Sequence, residues 1–216
     1  MIVHVLGTGP SLRYFLRTEK YHSDLTIGVN TIWKQYSVDC LLVMDNVERF
    51  KEYGDYGKTI IARPYIFYSL YPDWSFMPNF QKIEIDCLKD ENGKMFFPLE
   101  FYGDLSNLDH AFKFPFTATS VFTACCIAYR EWKAKKIIVW GCDLFSHPEL
   151  SGPISINGFI IKNTIDWIFN QFKDLKIELK KRGVELRMQK YICDSMNHHY
   201  DLEHLGKCSY CDEIKR

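Results

Sequence analysis

Residues 1–13 read MIVHVLGTGPSLR, and the fold turns on how this stretch is read. Ile2, Val3, Val5 and Leu6 are apolar and mostly β-branched, which suits a pleated strand buried on both sides. Gly7-Thr8-Gly9-Pro10-Ser11 then stops the strand. Gly7 and Gly9 permit backbone angles and close approaches that a Cβ would block, and Pro10 fixes its own φ. Leu12, Phe15 and Leu16 follow at helical spacing. A strand, a glycine turn and a helix N-terminus in succession make a ready anion site, because free N–H groups and the helix dipole point at the same place. The stretch is therefore expected to be the first strand of a nucleotide-binding α/β sheet, with Gly7–Ser11 as a candidate phosphate cradle. It lacks the third glycine of the full dinucleotide fingerprint, so a plain strand–helix turn is the alternative.

Outward from this stretch, strands and helices alternate. Residues 25–30 (LTIGVN) and 39–46 (DCLLVMDN) read as strands ending in polar groups, Asn30 in the first and Asp45 and Asn46 in the second. KTIIARP and KIEID are two more short strands. Residues 65–115, rich in Tyr, Phe, Pro and Asn, show little periodicity and read as an irregular insertion or lid over a pocket. In TATSVFTACCIAYREW, Thr117 or Thr119 caps a helix that carries Val121, Ala124, Cys125 and Ala128 on a small-residue face. KKIIVWGCD is a central parallel strand ending at Gly141-Cys142-Asp143. A long helix is expected where Ile160, Ile161, Ile165, Ile168, Phe169, Phe172 and Leu175 recur near 3.6 spacing, and GVELRM closes the domain as a last strand. This order predicts an α/β fold: a Rossmann-like, mostly parallel sheet with helices on both faces and ligands at the carboxyl ends of the strands. Residues 1–190 form that domain, and residues 191–216 a short appendage.

Composition narrows the partners. The chain of 216 residues suits one such domain, and 47% hydrophobic residues allow a sizeable core. Lys+Arg and Asp+Glu both number 27, which argues against charge-driven nucleic-acid binding without excluding a local basic face. Aromatic residues at 16% line pockets for planar or sugar ligands where they are not core. MIVHVLG has no basic n-region, no stretch approaches a membrane span, and Cys40, Cys87, Cys125, Cys126 and Cys142 sit inside apolar runs as small hydrophobes. A reducing, cytoplasmic setting is the expectation.

The chemistry should sit where strand ends converge: Gly7–Ser11, Asn30 with Asp45 and Asn46, and Gly141 to Asp143. Thr117, Thr119 and Ser120 join them from the helix entry. Neutral hydrogen-bonding groups with few cations suit a nucleotide, and Asp143 suits ribose hydroxyls. The alternative for Asn30, Asp45 and Asp143 is a turn-forming role at a strand end.

These residues resemble a family. GTGPSL, GVNTIW and TSVFTACCIA with KKIIVWGCDLF are similar to the motifs of the bacterial sialyltransferases of glycosyltransferase family 42. Those enzymes show a G-N-G-P-S-L turn, an R-C-N element, and a T-S-G helix before a strand ending in G-I-D-F-Y. The resemblance covers residues 1–45 and 115–190. It implies a metal-independent, inverting transferase that uses a CMP-activated sugar. By position, Gly7, Thr8, Gly9, Ser11 and Asn30 would line the donor phosphate and ribose. Thr119 and Ser120 would reach the cytidine or sugar, and Asp143 the ribose. Thr8 stands where the family has asparagine, and Phe145 where it has a tyrosine that stabilises the leaving phosphate. Where the family places its base histidine, NGFIIKNT offers Phe159. His147, just past the Asp143 strand end, is the substitute base, and His110 the second choice, because an imidazole near neutral pKa suits deprotonation of an acceptor hydroxyl.

The tail, from YICDSMNHHYDLEHLGKCSYC onward, differs from everything before it. Cys208-Ser209-Tyr210-Cys211 is a C-x-x-C knuckle, with Cys193, His198, His199 and His204 upstream. Cys193, His204, Cys208 and Cys211 form the tidiest four-ligand set for structural zinc, against a polar tail with incidental thiols. The expectation is a glycosyltransferase moving a sugar from a CMP-sugar to a glycan or lipid-linked acceptor, or to a modified DNA base, with no catalytic cofactor. Its rivals are an inactive nucleotide- or glycan-binding module, and a magnesium-dependent pyrophosphokinase-like enzyme in which Asp45 and Asp143 hold the metal.

Overall fold

Alternating burial along the first strand sets up the two faces of the sheet. A computed structural model describes residues 1–9, 11–43, 58–63, 80–84, 88–89, 95–96, 105, 108–109, 119–142, 154–156, 159–161, 164–189, 192–193 and 198–199. Strand β1 (Ile2–Leu6) sends Val3 and Val5 into one core and Leu6 into the other, all fully buried. An uninterrupted apolar run rather than a polar–apolar alternation is the mark of a strand covered on both sides.

The strands that follow are β2 (Leu25–Val29), β3 (Cys40–Val43), β4 (Lys58–Arg63), β5 (Phe80–Glu84), β6 (Leu88–Lys89), β7 (Met95–Phe96), β8 (Lys136–Trp140), β9 (Ile154–Ile156), β10 (Phe159–Ile161), β11 (Glu185–Met188), β12 (Ile192–Cys193) and β13 (His198–His199). Among the described residues three helices accompany them: α1 (Leu12–Leu16), α2 (Ser120–Arg130) and α3 (Thr164–Lys181). Seven strands make one sheet in the order β11-β8-β1-β2-β3-β4-β5, and every neighbouring pair is parallel. The chain winds outward from β1 to β5, then returns to the other side of β1 with β8 and β11. This is the expected α/β, Rossmann-like sheet, and its direction of winding reverses between β1 and β8.

Helices α2 and α3 cover one face. Residues 121–128 of α2 are buried throughout, and Phe122 meets Phe172 of α3 edge-on with ring centroids 5.4 Å apart. A helix apolar all round is one enclosed by other elements, so the small-residue face expected for α2 is only part of what it buries. Helix α1 and two 3₁₀ turns, Glu19–Tyr21 and Asn30–Lys34, cover the other face with Leu12, Phe15 and Ile32. The C-terminus of α3 closes in a Schellman turn. Gly183 takes φ +74°, its N–H donates to Lys180 O (3.0 Å), and Val184 N–H donates to Leu179 O (2.9 Å).

Two expectations change. Ile160 and Ile161 lie in β10, paired antiparallel with β9, and α3 starts only at Thr164. The Ile-rich, β-branched pair flanks Asn157-Gly158, the strongest short-range hairpin signal, and it outweighs the helical spacing. The range 65–115 is not uniformly irregular either. It contains β5, a strand of the main sheet that begins two residues ahead of KIEID, and Leu108, which is buried in the core beside α2.

A polar chain crosses the middle of the second face. His4, fully buried on β1, accepts at Nδ1 from the Trp140 indole N–H (2.9 Å), and its Nε2 lies 3.1 Å from Asp24 Oδ2. Indole nitrogen only donates, so Nδ1 carries no proton and Nε2–H donates to the carboxylate. The ring is thus held neutral between its two partners. Burial pushes the His4 pKa below its ordinary 6.5, against the opposing pull of Asp24. Phe15 and Tyr21 pack on the ring at 5.3 and 5.1 Å between centroids, so these aromatics are core rather than pocket lining. Because the folded pKa lies below 6.5, the unfolded chain binds the proton first as pH falls. Stability is therefore complete above pH 6.5 and is lost below it, with a slope of at most about 1.4 kcal/mol per pH unit for one proton. Thermal melts between pH 8 and pH 5 should show this decline, and His4→Gln should flatten it while lowering the melting temperature throughout.

Candidate functional site

The carboxyl edge of the sheet at the β1–β8 reversal is where an open α/β sheet leaves a crevice for ligands. Here the two strands are clasped. Gly7 N–H donates to Trp140 O (2.8 Å), Gly9 N–H donates to Gly141 O (2.9 Å), and Gly141 N–H donates to the buried Ser11 hydroxyl oxygen (2.8 Å). Gly141 sits at φ +67°, and a Cβ built on it would fall 2.3 Å from Gly7 O. A Cβ on Gly7 would fall 2.4 Å from Gly141 O and 3.4 Å from Val121 Cγ2 in the first turn of α2. No side chain fits at either position, so the seam demands glycine on both strands.

This changes the role of the turn. The amides of Gly7 and Gly9 and the oxygen of Ser11 are committed to β8, and α1 runs for only five residues. The N-terminus that rests on the seam belongs to α2. Thr119 is its N-cap, in extended conformation, and its hydroxyl oxygen accepts from Phe122 N–H (3.3 Å). Ser120 and Val121 open the helix, whose first N–H groups have no acceptor within the helix and whose start favours negative charge. Thr8 is exposed on the same edge.

Asn30 follows β2, one strand away. The register pairs Leu6 with Gly28, so Thr8 and Asn30 both follow their strands at the carboxyl edge of adjacent strands. Asn30 has φ +53°, in the left-handed region that asparagine tolerates better than most residues, and its Oδ1 is buried with no hydrogen-bond partner among the described residues. A buried acceptor left unpaired costs about 1–3 kcal/mol, so a ligand that donates to it would recover that penalty. The structure thus brings Gly7, Thr8, Gly9, Ser11, Asn30, Thr119, Ser120 and Gly141 to one edge. Asp45, Asn46, Asp143, His110, His147, His204, Cys208 and Cys211 lie outside the described residues, and of the proposed zinc set only Cys193, in β12, is described.

The opposite edge carries a latch that sequence reading missed. Tyr129 near the end of α2 donates to Asp109 Oδ1 (2.5 Å), and Arg182 beyond α3 donates to Asp109 Oδ2 (2.7 Å) and Glu178 Oε2 (2.7 Å). These hydrogen bonds, first that from Tyr129 and then that from Arg182, hold the Asp109 carboxyl below its ordinary range. Lys136 and Glu185, the first residues of β8 and β11, pair at 3.1 Å on the same amino edge. Nothing in the sequence announces the latch, because its members are 20 and 73 residues apart. The buried thiols Cys125 and Cys126 are raised by desolvation, so neither is a poised nucleophile.

Searches against protein-family models, curated proteins and solved structures find no match to this chain. Among the described residues no helix is long and apolar enough to cross a membrane, and no group of three or more His, Cys, Asp or Glu could hold a metal ion.

The seam makes a graded prediction. Gly141→Ala combines a left-handed residue, costing about 1–2 kcal/mol, with a clash of about 1–3 kcal/mol. Gly183→Ala has the same sign of φ but meets nothing within 4 Å, so only the first cost applies. Chemical denaturation should rank Gly141→Ala as the more damaging by at least ~1 kcal/mol, with Gly7→Ala suffering the clash alone.

Proposed function

We propose that this chain is a glycosyltransferase that moves a sugar from a nucleotide-activated donor, a CMP-sugar by preference, to an acceptor hydroxyl without a catalytic metal. The observation that carries this reading is the carboxyl edge at the β1–β8 reversal. The α2 N-terminus lies over a two-glycine seam there, and the buried Asn30 Oδ1 waits for a donor one strand away. A nucleoside monophosphate leaving group develops charge on its phosphate, and the first N–H groups of α2, those of Ser120 and Val121, suit that charge. Asn30 Oδ1 suits a ribose hydroxyl or an amino group of the base. The motifs GTGPSL, GVNTIW and TSVF…WGCDLF, which resemble those of the family 42 sialyltransferases, supply the choice of cytidine and of Asp143 for the ribose.

His147 is the preferred base because it follows Cys142, at the carboxyl edge, by only five residues, a reach of at most about 18 Å. His110 is second, since its neighbour Asp109 is fixed at the amino edge by Tyr129 and Arg182. A glycan or lipid-linked sugar is the favoured acceptor, and a modified DNA base is less favoured by the balanced charge.

A binding module without catalysis is the second reading. Phe159, at the position of the family's base histidine, lies in the short β10 strand, and a phenyl ring transfers no proton. Thermal shift across CMP, UMP and GMP, without added metal, tests the site. CMP should give the largest stabilisation, Asn30→Leu and Asp143→Ala should each reduce it, and a shift that requires magnesium would favour the pyrophosphokinase-like alternative. Turnover separates enzyme from module. Slow CMP release from a CMP-sugar is expected, and His147→Ala should cut it by ~100-fold or more with donor binding little changed. Tight donor binding with no release at all would leave the module as the better reading.

A further inference from the structure

A net charge of zero conceals a local excess at the amino edge of the sheet. Residues 130–136 and 173–187 together hold ten basic and four acidic side chains. Tertiary structure brings the two segments side by side. Glu185 N–H donates to Lys135 O (3.0 Å), and Lys136 and Glu185, opposite each other in the β8–β11 register, pair at 3.1 Å. Helix α3 ends at this edge, and Lys173, Lys176 and Lys180 recur along one flank of it, about 4.5 and 6 Å apart along the axis. All three are exposed, as are Lys133, Lys135 and Lys181. The neighbouring carboxylates are engaged with other cations: Glu178 with Lys181 and Arg182, Asp109 with Arg182, Glu185 with Lys136 and Arg187, and Glu131 with Arg130. Asp174 falls on a different flank of α3 from the row. Lys135, Lys173, Lys176 and Lys180 form no ion pair among the described residues.

We propose that this edge and the lysine row of α3 bind the phosphate backbone of a nucleic acid without regard to base sequence. Lysine is a point charge on a flexible stem, so it meets phosphates singly and reads no base edge. Two other polyanionic surfaces fit less well. Lysine is depleted at protein–protein interfaces, whose energy comes from aromatic, apolar and arginine anchors. A helix lying on a bilayer needs an apolar face to bury, and that of α3 is committed to the core through Ile168, Phe172, Leu175 and Leu179. Only Met1, Leu25 and Ile177 are exposed large apolar side chains among the described residues. The surface lies at the end of the strands opposite the candidate donor crevice. It anchors a polymer rather than presenting an acceptor to the donor, and it stands whether or not the carboxyl edge transfers a sugar.

The test measures binding of the full chain to a fluorescein-labelled DNA duplex of about 20 base pairs by anisotropy, between about 50 and 200 mM salt. Contact with four or five phosphates predicts a slope of log K against log salt of about −4. A second duplex of unrelated sequence should bind within about twofold. Lys173→Gln with Lys180→Gln should weaken binding by about tenfold at the lower salt and make the slope shallower by about 2. Arg17→Gln with Lys20→Gln removes the same charge from exposed positions on the other face of the sheet and should change affinity by less than about twofold. Circular dichroism of each variant checks that the fold is intact. Saturating CMP should leave duplex binding unchanged, and displacement by CMP would put the polymer at the carboxyl edge and overturn the proposal. Equal losses from the two charge pairs, or no duplex binding at the lower salt, overturn it as well. Tighter binding to phosphatidylserine vesicles or to polyglutamate than to the duplex replaces the nucleic acid by a membrane or an acidic protein.

Discussion

The contact between Gly7 and Gly141 is the constraint on which the rest of the molecule depends. Strands β1 and β8 are adjacent in the sheet although they are the first strand and nearly the last, and just past both strands two backbones approach so closely that neither can carry a side chain. The clasp of three hydrogen bonds around Ser11 joins the return of the chain to its start. It also fixes where α2 begins, because Val121 packs against the same seam. The seam thus holds together the strands at which the winding of the sheet reverses.

Polarity of the sheet follows from two sets of interactions at its ends. At the amino edge, Asp109, Tyr129, Arg182 and Glu178 bind the ends of α2 and α3 to the chain that enters from residue 108. On the same edge, Asp39 accepts from both the N–H and the hydroxyl of Thr26 (2.8 and 2.7 Å), locking the start of β3 to β2. The carboxyl edge holds the opposite character: glycines, a capped helix start and an Asn30 Oδ1 that has no partner among the described residues.

The buried His4 is a cost the fold carries in its centre. Between Trp140 and Asp24 the imidazole has both nitrogens engaged, so it is tolerated in its neutral form. Its two partners come from residues 20 and 136 positions away, which makes the chain of hydrogen bonds a product of the completed sheet rather than of any local segment. In sequence, His4 is only a polar residue inside an apolar strand, and nothing there distinguishes it from a surface histidine on an edge strand.

The sequence by itself determined the class of fold and the position of nearly every strand of the main sheet. Two-sided burial writes mainly apolar runs, as in IVHVL, CLLV and KIIVW, and the start of α2 was legible as Thr117 or Thr119, of which the structure shows Thr119 as the cap. Strand order, the glycine seam and the commitment of the Gly7 and Gly9 amides were decided only in three dimensions. Each depends on which distant strand lies alongside, and a one-dimensional pattern carries no such term. The same holds for Asn30. Its type was legible as a strand-end polar residue, but the left-handed φ and the buried oxygen, without a partner among the described residues, exist only in the folded chain. Local chemistry is written residue by residue, whereas the availability of a hydrogen-bonding group is set by every neighbour that folding brings to it.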